Sequence, residues 1–325
     1  RPAMAQPAAA SGGMLKGRVM NGTTGKPVPN VSVEYVKLSQ GMEPVEIARV
    51  DASGNFQFTK VPAPGADAGP PGLLRVDYEG ATYSQPVMSG EMAAQAPMMK
   101  GAIGPDGSIT VTVYDSSTDR NAYVVHEHAI FVRPRAGSMA VLEQVFIENS
   151  TTPPRAYVNP QGTFRFTLPA KPTGELTVSL QGAAGMPIPQ TAKPVAGVEN
   201  SYTIDYPIRP GESMLRIQYA LEYHDPYDFV KPLDQLPEEV HVVTPGDMVK
   251  VNAEDMISAG KDDQSGFSAF KLGLAGNKVN FRVSGEAPPE QVSANPDEGG
   301  SLTTIPNPLH DQRYYVLAGL GLVLA

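Results

Sequence analysis

The stretch "MLRIQYALEY" (214–223) decides the fold class. Leu215, Ile217, Tyr219 and Leu221 alternate with Arg216, Gln218 and Ala220. Successive side chains of a strand point to opposite faces, so this period of two places the apolar set on a buried face and the others on a wetted one. The pattern recurs along the chain. In "SITVTVYD" (108–115) Ile109, Val111 and Val113 oppose Thr110 and Thr112, and in "TFRFTLP" (163–169) Phe164, Phe166 and Leu168 oppose Arg165 and Thr167. "ELTVSL" (175–180), "YTIDY" (202–206) and "KVNFRV" (278–283) repeat it. Many short alternating strands joined by turns predict an all-β chain of antiparallel sandwiches with one buried and one solvated face per sheet.

Composition agrees. Of 325 residues, 32 are Gly and 32 are Pro while only 18% are charged, a balance that suits tight turns and suits helices badly. The formal charge of −9, without a basic run, excludes a nucleic-acid partner, because phosphate binding needs clustered Lys and Arg. Cysteine is absent, which removes disulfides, thiolate metal sites and thiol nucleophiles. The chain begins at Arg1, and Ala3-Met4-Ala5 resembles the end of a cleaved secretory signal, so export is expected.

The predicted organisation is a flexible Ala/Gly/Pro lead (1–13), a first sandwich (14–120), a second sandwich region (121–285) built as one large or two small sandwiches, and a Pro-rich linker (286–312). A final segment (313–325) reads as the start of a transmembrane helix. Within the first domain, Gly17 and Val19, "TTGKPVPNVSV" (23–33) and "ARVDASGNFQF" (48–58) resemble the carboxypeptidase regulatory-like domain. That resemblance implies a seven-stranded sandwich of transthyretin type. It implies no activity of its own, since such modules accompany enzymes, adhesins and outer-membrane receptors. The residues read the same way: Val31 and Val33 open an inward face, Asp51 to Asn55 make a tight turn with Gly54 free to take positive φ, and Phe56 and Phe58 re-enter the core. No His is followed by Glu three residues on, so the peptidase zinc motif of the family's namesake is missing.

Candidate chemistry is sparse, and no cofactor is expected. In "VVHEHAIFV" (124–132) His126 and His128 share a strand face, a geometry that holds zinc or copper if a third ligand arrives from a neighbouring strand; the plainer alternative is two polar groups on a wetted face. "YHDPYDF" (223–229) gathers His224, Asp225 and Asp228 around a proline, fitting an Asp-stabilised turn better than a calcium loop. Met88, Met92, Met98 and Met99 form a cluster suited to copper(I) or, more simply, to adaptable packing. Nucleophile elbows, phosphate loops and dinucleotide fingerprints are absent, so no enzyme is expected.

The end of the chain, "RYYVLAGLGLVLA" (313–325), carries the functional reading. In a helix its twelve uncharged residues would span about 18 Å of a hydrocarbon layer about 30 Å thick. Arg313, Tyr314 and Tyr315 suit the bilayer interface, Leu317, Leu320, Leu322, Val323 and Leu324 suit its interior, and Gly319 and Gly321 suit close helix packing. A buried final strand is the competing reading; the preceding polar linker favours a membrane anchor. The expected product is a non-catalytic accessory subunit on the periplasmic side of a bacterial inner membrane, held to the bilayer by a single pass. In layout it resembles the periplasmic single-helix subunit of some reaction-centre–light-harvesting complexes, which implies reaction-centre, cytochrome or light-harvesting polypeptides as partners. The alternatives are a glycan- or peptide-binding module using Tyr219, Tyr223, Tyr227 and Phe229, and a metalloprotein using His126 and His128.

Overall fold

The strand Gly211–Tyr223 buries Leu215, Ile217, Tyr219, Leu221 and Tyr223 and turns Gln218 and Glu222 to solvent, as its alternation requires. This computed structural model describes residues 14–37, 43–63, 72–87, 107–182, 187–246, 248–262, 266–274 and 276–288. The lead (1–13), the four clustered methionines, the linker beyond 288 and the anchor set Arg313, Tyr314, Tyr315, Leu317, Leu320, Leu322, Val323 and Leu324 lie outside the described residues. Every regular element among the described residues is a strand, and none of them forms a helix long and apolar enough to cross a membrane.

The chain divides into two compact units. One comprises the described residues of Arg1–His126, Val145–Phe166 and Thr177–Arg216, the other those of Glu127–Gln144, Thr167–Leu176 and Ile217–Ala325.

The first unit opens with β1 (Met14–Asn21), β2 (Ser32–Lys37), β3 (Glu43–Arg49), β4 (Asn55–Pro62), β5 (Gly72–Tyr78), β6 (Ala81–Val87) and β7 (Ile109–Val113). They form a three-stranded sheet, β4-β1-β7, and a four-stranded sheet, β3-β2-β5-β6. Leu15, Val19, Val33, Phe58, Leu74 and Ile109 belong to one buried cluster that draws on both sheets. Phe58 meets Tyr35 and Phe56 edge-on, with ring centroids at 6.0 and 5.7 Å. The turn into β4 is held by Asp51, whose carboxylate accepts hydrogen bonds from the amides of Ser53 and Asn55 at 2.8 Å each. Gly54 takes φ 84° there, and a Cβ on it would lie 2.6 Å from Pro27 Cβ, so the position needs glycine twice over.

The remaining strands are β8 (Ser116–Ser117), β9 (Val124–Arg135), β10 (Gly137–Asn149), β11 (Ala156–Tyr157), β12 (Phe164–Thr167), β13 (Thr177–Gly182), β14 (Pro187–Gln190), β15 (Lys193–Pro194), β16 (Ser201–Ile204), β17 (Gly211–Tyr223), β18 (Tyr227–Pro232), β19 (Glu239–Pro245), β20 (Lys250–Asn252), β21 (Met256–Lys261), β22 (Phe267–Leu272) and β23 (Lys278–Ser284). The largest sheet runs β14-β13-β17-β10-β9-β19-β22-β21, and a three-stranded sheet, β18-β23-β20, lies within the second unit. Pairing is mixed and not purely antiparallel: β7 runs parallel to β1, β11 to β8 and β19 to β9. Such pairs need long connections, and alternation within a strand carries no information about the direction of its neighbour.

Alternation also fails at the centre of the large sheet. In β9 the five consecutive residues from 128 to 132 are all buried, because both faces of the strand are covered there.

Candidate functional site

Two strand positions in the second unit place a carboxylate and an ammonium group in the buried interior. On β10, Glu143 shares its face with Val141 and Val145; on β18, Lys231 shares its face with Phe229. Both charges are sealed from solvent, at 0% and 1% residue exposure. An isolated buried charge is strongly disfavoured, so each requires partners. Glu143 has three. Its Oε2 lies 2.7 Å from His128 Nε2 and 3.2 Å from Lys231 Nζ, and its Oε1 accepts a hydrogen bond from Tyr219 OH at 2.5 Å. An ionised carboxylate only accepts, so His128 carries its Nε2 proton. Lys231 Nζ also donates to the Thr167 carbonyl at 2.5 Å.

The electrostatics follow from this geometry. Burial alone would raise the Glu143 pKa; Lys231, the His128 hydrogen bond and charge, and the Tyr219 hydroxyl overcome it and hold the carboxyl down to about 2. Burial and then the Glu143 charge push Tyr219 well above its ordinary value of 10. Glu143 is therefore ionised and Tyr219 protonated at neutral pH. Three of the roughly four lone-pair sites of the carboxylate are taken from within, and at 0% exposure the group is closed to a substrate arriving from solvent.

The residues singled out in the sequence have separate fates. His126 Nε2 meets Glu148 Oε2 at 2.5 Å with about two-fifths of each side chain exposed, whereas His128 belongs to the buried quartet. Glu127 pairs with His241 Nδ1 at 2.9 Å. Among the described residues no group of three or more metal-ligating side chains converges. Around "YHDPYDF", Asp225 Oδ1 accepts from the Gly285 amide at 3.1 Å, and Asp228 takes a two-pronged bond from Arg282 at 2.6 and 2.9 Å. Both carboxylates thus close turns and strands together. The aromatic set is interior: Phe229 is fully buried and stacks on Phe281 at 4.6 Å, Tyr219 and Tyr223 are buried, and Tyr227 alone is partly open. It forms no surface platform, because 219, 221 and 223 lie on the inward face of β17.

Sequence reading passed over Glu143 and Lys231. A signal existed, since "MAVLEQVFIE" (139–148) and "YDFVKP" (227–232) each place a charge in step with core apolar residues.

The first unit holds a different feature, a cavity of about 150 Å³ bordered by β5, β6, β7, β14 and the start of β17. Arg209 stands in its wall. The guanidinium carbon lies 4.9 Å from the Tyr83 ring centre and 5.2 Å from that of Tyr206, and one terminal nitrogen donates to the Thr82 carbonyl at 3.1 Å. Its Nε is buried without a hydrogen-bond partner. Tyr83 is pushed up to about 12 by burial, partly offset by its bond to the Tyr114 carbonyl and by Arg209.

No protein-family model matches the chain, and no curated protein is significantly similar to it.

Proposed function

We propose that this chain is a non-catalytic accessory subunit, tethered at the periplasmic face of a bacterial inner membrane, that stabilises a larger membrane protein complex. The observation that supports the non-catalytic part is the buried quartet. Glu143, His128, Tyr219 and Lys231 have the residue types of an acid–base centre, yet they bond to one another with every member buried. A catalytic group must reach a substrate atom within hydrogen-bond distance. These groups instead act as an internal clamp between β9, β10, β17 and β18. The tether rests on the apolar run 313–325 and its interfacial Arg313, Tyr314 and Tyr315. Anchored modules gain effective concentration toward other proteins of the same bilayer without needing strong individual contacts. A reaction-centre–light-harvesting assembly, named by likeness of layout, is the partner complex to test first.

The test is to solubilise native membranes in mild detergent and recover the tagged full chain. The proposal expects stoichiometric co-purification with integral membrane proteins, lost when 313–325 is removed. Recovery as a monodisperse single species from the membrane, or from the aqueous fraction, overturns it.

A further inference from the structure

Arg209 presents a cation with an unfinished set of partners. Among the described residues it forms no ion pair; two tyrosine rings and one carbonyl are its partners, and since Nε–H is buried, the terminal nitrogens are the ones left to meet a ligand. A half-buried guanidinium held on aromatic faces is pre-organised and weakly hydrated, the condition in which it binds a carboxylate in fork geometry. The adjoining cavity supplies room for the rest of such a ligand. Leu73, Pro86, Val111 and Ile188 give it apolar walls, and Ser84 and Ser213 supply hydroxyls. Cavities of about 150 Å³ in other proteins accept a benzene ring, so the ligand body is of that order. Glu212 stands on the same wall, and a ligand with a second carboxylate would be repelled.

We propose that this cavity binds a small organic monocarboxylate, the carboxylate at Arg209 and a compact apolar body against Leu73, Pro86, Val111 and Ile188. All the residues that form it belong to the first unit. The same chemistry is offered by a free metabolite-sized acid and by the C-terminal carboxylate of a polypeptide ending in an apolar residue.

Titration calorimetry on the full chain tests it with benzoate as probe and benzamide as the neutral isostere. Benzoate is expected to bind, with benzamide and phthalate each weaker by at least about tenfold, the loss expected when a charge-assisted bond is removed or a like charge is added. Arg209→Gln should weaken benzoate to the same degree. Ile188→Trp, which fills the cavity without touching the cation, should abolish binding and keeps the test decisive if the Arg209 variant does not fold. A short peptide ending in a free Leu carboxylate, compared with its amide, separates the two sources: peptide tighter than benzoate assigns a polypeptide terminus, and peptide weaker than benzoate assigns a free acid. Equal binding of benzoate and benzamide, or no binding of benzoate at millimolar concentration, overturns the proposal.

Discussion

Glu143 Oε2 and Lys231 Nζ lie 3.2 Å apart in the interior of the second unit, with 0% and 2% of their side chains exposed. Their strands come from two different sheets, so the pair, with His128 and Tyr219 beside it, ties the two sheets together through charge. Lys231→Met leaves the carboxylate buried with less compensation and is expected to cost about 3–5 kcal/mol in urea unfolding. Adding Glu143→Leu should recover part of that loss, because the pair is replaced by apolar volume. A single-variant cost below about 1 kcal/mol would show that water reaches the site.

The acid limb of stability carries the signature of Glu143. Its ordinary pKa is 4.5 and its folded one about 2, so the folded chain binds fewer protons than the unfolded one in that interval. The contribution is therefore complete above about pH 4.5 and is lost as pH falls toward about 2. Denaturant midpoints measured across this range should fall more steeply for the wild type than for Glu143→Gln. On the alkaline side, Tyr219 is raised above 10, so stability should also decline as pH rises beyond that value, and Tyr219→Phe should blunt the decline.

The two histidines of "HEH" should separate cleanly. His126 and Glu148 form a pair about two-fifths exposed, and exposed pairs contribute at most about 1 kcal/mol. His126→Ala is expected to unfold within that margin of wild type. His128 touches the sealed Glu143, and His128→Ala should cost several times more, about 3 kcal/mol. Similar costs for the two, read from the same unfolding titration, would contradict the difference in their surroundings.

The first unit offers a backbone test. Gly54→Ala meets both a positive φ of 84° and the Pro27 side chain, and is expected to cost about 2 kcal/mol or more. Phe58→Ala, at a fully buried ring packed edge-on against Tyr35 and Phe56, should cost about 3–5 kcal/mol. Thermal melts followed by near-ultraviolet circular dichroism would read both.

Strands with one wetted face were legible from alternation alone: Ile109, Val111 and Val113 are buried, as are Phe164, Phe166 and Leu168. The centre of the large sheet was not. There Ala129 and Phe131 are as buried as Ile130 and Val132, and a strand covered on both sides has no period to detect. The quartet escaped for another reason. Glu143 is 15 residues from His128 and 76 from Tyr219, and the fold alone brings them together. The tyrosines misled because an aromatic residue serves equally as a surface platform or as core, and a hydroxyl within reach of a buried carboxylate settles Tyr219 as core.

The two margins of the largest sheet differ in what they offer a newcomer. β14 carries Pro187 and Pro189 in its four residues and so lacks half of the amide donors that templated growth would require. β21 retains its donors, displays Ile257 at 69% exposure, and is interrupted by a register shift between Ser258 and Gly260. Any misassembly of this protein into fibrils should therefore recruit monomers along β21, with the kink at Gly260 as the natural safeguard against it.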